Sequence, residues 1–305
     1  MRRAVLIAGA TASGKSELGE AVARAIGGEV VCADARQVFR ELEIGTGKPT
    51  RAERTALPHH LFDALTLGER PSAGWFARAA AHVAEALFAR GVTPVFVGGS
   101  GLYIRALLEG LHALPAHDAA TRATLMGELA VLGPEALHER LAALDPGGAA
   151  RIEPGDRQRI VRALEVHATS GRALSDWHAE SARAPLAAQW HPFLVHWDAA
   201  TLRERIAQRT HAMYEGGLVT EAQLLLAAGH GEALAELHAI GYDEAMGLLA
   251  GRISREEAEL RTTQRTRQLA KRQRTWFRHQ LAAELLPGQE GVEQLQARVL
   301  ASLRG

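Results

Sequence analysis

Residues 4–16, AVLIAGATASGKS, constrain the fold more than any other stretch of the chain. A short apolar run leads directly into GATASGKS, which fits the pattern G-x-x-x-x-G-K-[ST], and a helix is predicted over residues 16–26. Between a buried strand and a helix, such a loop wraps backbone N–H groups around phosphate oxygens, with help from the lysine and from Mg²⁺ bound by the serine. The alternative is a chance glycine-rich turn, which this context disfavours. We therefore predict a loop that binds a polyphosphate.

Three further apolar runs predict strands at residues 29–34 (EVVCAD), 93–99 (TPVFVGG) and 193–197 (FLVHW). Helical patterns lie between them, over residues 72–90 and again from Ser100 through SGLYIRALLEGL. Continuous apolar strands that alternate with helices are typical of parallel sheets with both faces covered. The sequence therefore predicts an α/β fold with a parallel, doubly wound sheet.

The pattern changes between about residues 114 and 189. Helical stretches rich in Ala, Leu and Arg follow one another there without a convincing strand, and they are interrupted at Gly133-Pro134, Pro146-Gly147-Gly148 and Pro154-Gly155. This organisation predicts a mostly helical insertion domain of residues 114–189. The first part of the core is then residues 1–113, and the second part is residues 190–305.

Composition excludes several classes of protein. The 35 Lys and Arg residues equal the 35 Asp and Glu residues, so any affinity for nucleic acid has to come from local patches. The single cysteine, Cys32, rules out disulfides and cysteine-built metal sites. No apolar run approaches the roughly 20 residues that a membrane span needs. We expect a soluble, cytoplasmic protein that has no membrane partner and acts as a monomer.

Acidic residues at strand ends indicate the type of chemistry. A hydrolysing P-loop NTPase normally has an acidic Mg²⁺ ligand after a later strand, but residues 93–99 continue as SG, without a carboxylate. Asp34 follows the second predicted strand, where P-loop small-molecule kinases place a carboxylate that takes a proton from the acceptor. This layout predicts group transfer to an acceptor rather than a motor or a switch. The alternative role for Asp34 is a helix or turn cap.

Near the C-terminus, Ser254 with Glu257 three residues later predicts a capping box and a helix that runs to about residue 285. Residues 261–279 contain seven Lys or Arg and no acid. Steps of four, three and four residues place four of these cations on one helical face: Arg267, Lys271, Arg274 and Arg278. With Trp276 and Phe277 beside it, this face suits RNA phosphates and unstacked bases, whereas the alternative is an ordinary solvated face.

Two other functions remain open at this point. DRQRIVRALEV carries Arg157, Arg159 and Arg162, which could form the lid of a P-loop small-molecule kinase. A kinase would consume ATP, and it would leave the basic helix without a role. The protein could also be a non-catalytic RNA-binding protein with a vestigial loop, in which case Lys15→Ala would leave its function unchanged.

Seven stretches in order resemble the tRNA dimethylallyltransferases, also called tRNA isopentenyltransferases: GATASGKS, DARQVFRELEIGTGKP, PHHLFD, VGGSGLYIRALLEGL, DRQRIVRALEVHATSG, IGYDEA and TRQLAKRQRTWFR. The resemblance implies a P-loop NTPase-like core with a helical insertion. It also implies transfer of a dimethylallyl group from its diphosphate to the exocyclic N6 amine of the adenosine immediately 3′ of the anticodon, with Mg²⁺ as cofactor. The partners would be dimethylallyl diphosphate and the tRNA anticodon stem-loop.

The resemblance also implies roles for individual residues. Asp34 would be the general base, and Ser100 and Arg122 would assist the leaving pyrophosphate. The diphosphate would be held by Gly9, Ala10, Thr11, Ala12, Ser13, Gly14, Lys15 and Ser16, with Ser16 as the Mg²⁺ ligand. The tRNA contacts would be Asp34, Ala35, Arg36, Gln37, Gln158, Arg159, Ile160, Val161, Arg162, His238, Ala239, Ile240, Gly241, Tyr242, Asp243, Lys271, Arg272, Gln273, Arg274, Thr275, Trp276, Phe277 and Arg278.

Three positions depart from the family pattern without removing a charge. Ala35 stands where the family usually has Ser, so one side-chain hydrogen bond to the acceptor region would be missing. Ser100 replaces the commoner Thr and keeps the hydroxyl, and Gly47 replaces Ala. The predicted chemistry is consistent with these residues, because an adenine amine is a weak nucleophile that needs a good leaving group and a nearby base.

Overall fold

A computed structural model describes residues 2–112, 114–180 and 184–304. The chain divides into two compact units, one of residues 1–109 and 186–305 and the other of residues 110–185. None of the helices in the described ranges combines the length and the apolar character that crossing a membrane requires.

The larger unit is built on six strands: β1 (Arg3–Gly9), β2 (Glu29–Cys32), β3 (His59–His60), β4 (Pro94–Gly98), β5 (Gln189–His196) and β6 (Glu284–Pro287). They form one sheet in the order β3-β2-β4-β1-β5-β6, and every neighbouring pair is parallel. The predicted α/β class with a parallel sheet is therefore confirmed. Because all strands point the same way, their carboxyl ends share one edge, where open α/β sheets bind ligands.

In chain order the helices are α1 (Lys15–Ile26), α2 (Arg51–Ala56), α3 (Ala73–Ala89), α4 (Gly101–Leu108), α5 (Ala119–Leu144), α6 (Pro146–Ala149), α7 (Arg157–Ser170), α8 (Leu174–Ala179), α9 (Ala199–Glu215), α10 (Leu218–Ala227), α11 (Gly231–Leu237), α12 (Tyr242–Leu249), α13 (Arg255–Gln280) and α14 (Val292–Ser302). Short 3-10 turns lie at Ile44–Thr46 and Gly288–Glu290. Helices α5 to α8 belong to the smaller unit and the others to the larger one.

Strand β1 is buried on both faces because its side chains alternate between two apolar layers. Leu6 packs in the layer that contains Phe76 of α3, whereas Ile7 packs in the layer that contains Leu18 of α1 and Val299 of α14. Burying a side chain of this size contributes about 1.5–3 kcal/mol. The two buried layers hold the sheet rigidly, and the sheet in turn positions the loops at its carboxyl edge.

A third apolar cluster fixes the segment that follows β2. Phe39 and Leu42 of this segment are fully buried against Tyr214 of α9, Leu218 of α10 and Tyr242 of α12. This packing fixes the position of the segment, and with it the polar residues that directly follow β2.

The smaller unit consists of helices alone within its described residues, 110–112, 114–180 and 184–185. Helix α5 is interrupted at Gly133, where φ is +82° and Pro134 follows. Leu137 and Leu141 of α5 pack on Ile160 and Leu164 of α7. The interruption coincides with a break that the Gly-Pro pair predicts.

Three elements differ from the sequence predictions. Strand β5 begins at Gln189 and ends at His196, rather than spanning residues 193–197. Helix α13 ends at Gln280 instead of near residue 285, because β6 pairs with β5 there. The Ser254 hydroxyl accepts the Glu257 N–H at 3.1 Å, but the Glu257 carboxylate binds Arg261, so only half of the predicted capping box forms.

Candidate active site

The loop between β1 and α1 has the backbone that phosphate binding requires. Gly14 has φ of +88° at the N-terminus of α1, and Ala12 has φ of +63°, which is uncommon for a residue with a side chain. At Gly9 an added Cβ would lie 2.5 Å from the Ser13 Oγ, so only glycine fits. The loop is therefore compact and carries strain at Ala12.

Side chains from three separate elements hold this loop from outside. Arg205 of α9 donates from Nε to the Ala12 carbonyl at 2.9 Å, and Trp197, directly after β5, donates from Nε1 to the Ser13 carbonyl at 2.9 Å. Gln273 of α13 accepts the Thr11 N–H at 2.8 Å. The Arg205 guanidinium also lies over the Trp197 ring, 4.4 Å from its centroid. These contacts stabilise a conformation that the loop would not keep alone.

Two half-buried cations lie beside the loop. Burial lowers the pKa of Lys15 to about 8, with Arg209 adding to the decrease and Asp34 opposing it. Burial also lowers the pKa of Arg209, again opposed by Asp34. The Arg209 guanidinium donates to the Thr11 hydroxyl at 3.0 Å and to the Thr46 carbonyl at 3.1 Å. Two partly desolvated cations beside a single carboxylate form a site that favours binding of an anion.

Two of the cavities that border the loop contain its cations or Asp34 in their linings. The first, the loop cavity, has a volume of about 470 Å³ and is lined by Ala12 to Glu17, Gly47, Arg205, Gln208, Arg209 and Ala212. The second, the Asp34 cavity, has a volume of about 390 Å³, and its lining includes Thr11, Asp34, Arg36, Thr46, Arg209, His238, Arg265, Arg272 and Gln273. Arg209 lines both cavities, so a group bound at the loop would lie next to the space that Asp34 borders.

Asp34 follows β2 and caps the turn after it. Its Oδ1 accepts the N–H groups of Arg36 at 2.8 Å and Gln37 at 3.4 Å, so the capping role considered for this residue is present. Its Oδ2 has no hydrogen-bond partner in the described part of the chain. The cap fixes the orientation of the carboxylate and leaves one oxygen available for a proton.

Ser100 acts on this turn in the structure. Its Oγ accepts the Ala35 N–H at 2.9 Å, which ties the end of β4 to the end of β2. The backbone of residue 35 therefore keeps a partner even though Ala35 lacks the usual hydroxyl. The predicted contact of Ser100 with a leaving pyrophosphate stays a prediction.

The basic helix α13 presents only part of the predicted surface. Lys271, Arg272 and Arg278 are exposed, and Arg267 and Arg274 are half-buried. Phe277 is only 2% exposed and packs in the layer that contains Phe76. Phe277 therefore presents almost no surface to a base in this structure, and its predicted contact with RNA stays a prediction.

Trp276 and Gln273 of the same helix also contact protein. The Trp276 ring packs so closely on Gly101 that an added Cβ there would lie 2.5 Å from the ring atom Cδ2. The Gln273 side chain bonds to Thr11 and to the Gly99 carbonyl. These two side chains attach the helix to the core instead of extending from it.

Several other predicted RNA contacts are buried. Tyr242 is fully buried and its hydroxyl accepts the Gly45 N–H at 3.2 Å, and Ala239 is buried beside it. Asp243 pairs with Arg265 at 2.8 Å. Of this segment, His238, Ala239, Ile240 and Tyr242 line the Asp34 cavity, and His238 is also exposed at the surface.

In the smaller unit, Ile160 and Val161 are fully buried in its core, and the predicted RNA contacts at these two positions stay predictions. Gln158 and Arg159 are exposed on the same helix, α7. Exposed polar side chains at the start of α7 remain candidates for RNA binding.

A buried carboxylate organises the cations of this unit. Glu165 is fully buried, and it lies 3.4 Å from an Arg122 nitrogen, 3.2 Å from an Arg162 nitrogen and 3.1 Å from Nδ1 of His117. Burial alone would raise the pKa of Glu165, but the Asp118 N–H and these cations outweigh it and keep the pKa below its ordinary value. Arg122 is therefore held in place by an anion of its own unit.

The sequence predictions missed Arg205, Arg209 and Trp197. A usable signal was present: LRERIAQR places two arginines four residues apart, and hence on one helical face, directly after a predicted strand. Parallel topology brings the end of that strand to the edge where the loop lies, so these cations belonged among the candidates.

The fold and the site define a class. A P-loop at the carboxyl edge of a parallel sheet, two half-buried cations and a carboxylate on an adjacent cavity are the elements of a P-loop group-transfer enzyme. A family model described as IPP transferase matches residues 37–280, and one described as Isopentenyl transferase matches residues 2–69. The chain belongs to the IPP transferase family.

Individual proteins agree with this assignment. The chain is 45% identical over 299 residues to a tRNA dimethylallyltransferase of Anaeromyxobacter sp. (strain Fw109-5), covering 98% of this chain and 99% of that relative. It is 42% identical over 302 residues to one of Halorhodospira halophila, covering 98% and 97%. A crystal structure of a tRNA delta(2)-isopentenylpyrophosphate transferase from Staphylococcus epidermidis matches with a TM-score of 0.68 at 29% identity over 99% of both chains. A eukaryotic dimethylallyltransferase captured acting on tRNA matches with a TM-score of 0.78 at 25% identity, over 94% of this chain and 74% of that one.

Proposed function

We propose that the protein transfers a dimethylallyl group from dimethylallyl diphosphate to the N6 amine of the adenosine immediately 3′ of the anticodon in tRNA. The relatives are named for dimethylallyl transfer to tRNA. The observation that carries the finer proposal is that the Asp34 cavity is lined by the P-loop residue Thr11, by the half-buried cation Arg209 and by Asp34. The residues that would bind the leaving group and the residue that would accept the proton thus line the same cavity.

The loop would bind the diphosphate of the donor. Its backbone N–H groups and the N-terminus of α1 favour negative charge, and the half-buried Lys15 and Arg209 supply positive charge. As the allylic carbon–oxygen bond breaks, both electrons go to the departing diphosphate. Cations already in place stabilise that developing charge more than they stabilise the intact donor, so they accelerate the step.

The residues at the loop fit Mg²⁺. No described residue hydrogen-bonds the Ser16 hydroxyl, and Mg²⁺ commonly takes few protein oxygens together with substrate phosphates and waters. A dedicated cluster of His, Cys, Asp and Glu is absent from the described residues, which agrees with a metal held mainly by the substrate. Ser16 would hold the ion, which supplies further neutralisation of the diphosphate.

Asp34 would accept the proton of the acceptor. The N6 lone pair is conjugated into the adenine ring, so attack needs removal of a proton as the new bond forms. The bond between N6 and the allylic carbon forms, the bond from that carbon to the diphosphate oxygen breaks, and the N6 proton passes to Oδ2 of Asp34. The hydrogen bonds from Arg36 and Gln37 to Oδ1 keep this carboxylate oriented.

The adenosine must leave its stack to enter the Asp34 cavity. Exposed cations of α13, Lys271, Arg272 and Arg278, are suited to the phosphates of a single-stranded loop. Arg272 also lines the cavity, so phosphate binding and base entry are adjacent.

The test is prenyl transfer in vitro. Unmodified tRNA with adenosine 3′ of the anticodon is incubated with the protein, dimethylallyl diphosphate and Mg²⁺, and the nucleosides are analysed by mass spectrometry. We expect one dimethylallyl group in place of one hydrogen on that adenosine, and no change in a matched tRNA with guanosine there. An unmodified adenosine after incubation with folded protein would refute the proposal, and ATP consumption would favour the kinase alternative.

A further inference from the structure

Gln273 lies in the middle of the exposed basic stretch of α13, but its side chain is turned into the core. Its Oε1 accepts the Thr11 N–H at 2.8 Å, and its Nε2 donates to the Gly99 carbonyl at 2.9 Å. The amide thus uses both ends on backbone groups of two different loops. These two hydrogen bonds orient the amide towards the protein rather than towards the exposed side of the helix.

The fit around Gln273 is close. An added Cβ at Gly99 would lie 2.6 Å from its Nε2, so the strand-end backbone can approach this far only as glycine. Thr11 directly precedes Ala12, whose φ of +63° is strained, and the amide bond at Thr11 is one of the contacts that holds this turn.

The same amide completes a ring of contacts around the Asp34 cavity. On one side, Arg209 bonds to the Thr11 hydroxyl and the Thr46 carbonyl, and Gln37 also bonds to the Thr46 carbonyl. On the other side, Gly99 is followed by Ser100, which accepts the Ala35 N–H next to Asp34. The ring runs through Gln273, Thr11, Arg209, Thr46, Gln37, Asp34, Ala35, Ser100 and Gly99.

We propose that Gln273 is a positioning residue for the donor diphosphate and not a contact to RNA. Its hydrogen bond to Thr11 fixes the turn at Thr11 and Ala12 and thereby orients the backbone N–H groups that would bind the phosphates. The cations proposed to bind RNA lie on the other side of the same helix. The inference rests on the proposed diphosphate site.

The test compares two variants of the same helix, one on its core-facing side and one on its exposed side. Gln273→Met keeps a similar length and removes both hydrogen bonds, and Lys271→Met is the matched control on the exposed side of the same helix. Binding of inorganic pyrophosphate with Mg²⁺ is measured by calorimetry, and binding of an anticodon stem-loop RNA is measured by filter retention. Leaving the Thr11 N–H without a partner should weaken pyrophosphate binding by roughly tenfold in Gln273→Met.

We expect Gln273→Met to bind the RNA as the wild type does, and Lys271→Met to show the reverse pattern, with weaker RNA binding and normal pyrophosphate binding. In turnover assays Gln273→Met should raise the KM for dimethylallyl diphosphate and leave the KM for tRNA unchanged. Normal pyrophosphate binding by a folded Gln273→Met, with or without weaker RNA binding, would overturn the inference.

A second variant covers the case in which Gln273→Met does not fold. Gln273→Glu keeps an acceptor for the Thr11 N–H, loses the donor to Gly99 and adds a negative charge near the anion, so pyrophosphate binding should be weaker still. Normal binding by this variant would overturn the assignment, as would loss of folding in both variants, because the amide would then serve the fold as a whole. If wild-type protein binds pyrophosphate but transfers no prenyl group, the proposed function fails while the inference about Gln273 stands.

Discussion

Binding of a diphosphate should be accompanied by uptake of a proton at Lys15. In the structure, burial and the neighbouring Arg209 lower the pKa of this ammonium group from 10.5 to about 8, against the opposing effect of Asp34. A diphosphate would place several negative charges beside the ammonium and return its pKa to the ordinary range or above it. Lys15 is thus partly neutral before binding and fully charged afterwards.

The size of the effect depends on pH. With a pKa of about 8, Lys15 is half neutral at pH 8, so binding should take up about half a proton there, about a tenth of a proton at pH 7 and almost none at pH 6. A decrease of this size corresponds to roughly 3 kcal/mol between the charged and neutral forms. Because the folded pKa lies below the unfolded one, the charged group destabilises the free protein below pH 8. This penalty is lost as the pH rises from about 8 towards 10.5.

The assay is calorimetry of pyrophosphate binding at pH 7 and pH 8 in two buffers that differ in ionisation enthalpy. Lys15→Arg is the control, because it keeps a positive charge that does not titrate in this range and reports the protons exchanged by the ligand itself. The difference between the wild type and Lys15→Arg should be near half a proton at pH 8 and small at pH 7. Equal proton uptake by both proteins at pH 8 would refute the assignment of Lys15 as a buried, partly neutral cation.

Three further predictions concern other parts of the chain. Asp34→Asn keeps the cap through its amide oxygen, so it should retain pyrophosphate binding. Single-turnover prenyl transfer should slow by about 10²–10⁴-fold because the proton acceptor is lost. Transfer at the normal rate would show that Asp34 is not the base. Phe277→Ala should lower the free energy of unfolding in urea by about 3–5 kcal/mol by opening a cavity in the core, whereas a stable protein with weakened RNA binding would restore Phe277 as an RNA contact. Glu165→Gln keeps the acceptor for the Asp118 N–H but removes the buried charge that faces Arg122 and Arg162, so it should lower the free energy of unfolding in urea by about 3–5 kcal/mol. A decrease within the experimental error would argue against a structural role for the charge.

The sequence identified the parts of the site that depend on local pattern. The P-loop is such a part, because its strand, glycines and helix are contiguous, and Asp34 is another, because an acid directly after a buried strand must lie at the carboxyl edge of a parallel sheet. Arg209 depends on tertiary structure instead. It is 198 residues away from Thr11, whose hydroxyl it binds, and no short pattern encodes that contact.

The division of α13 into two faces has a different origin. The pattern of cations defines one helical face, and residues between them belong to the opposite face. Ala270, Gln273 and Phe277 follow steps of three and four, so they share the side that the structure buries or bonds to the core. The end of the helix was missed because residues 281–285 have no strong strand pattern, and pairing with β5 decides their conformation.

The contact between Gly101 and Trp276 packs the basic helix α13 against the turn after β4. A single methyl group at position 101 would meet the indole at 2.5 Å and act as a wedge between two elements that a bulky ring now joins. Replacement of this glycine by alanine would tilt the helix away from this turn without touching a charged residue. The spacing between the cations of α13 and the P-loop therefore depends on the absence of one carbon atom at position 101.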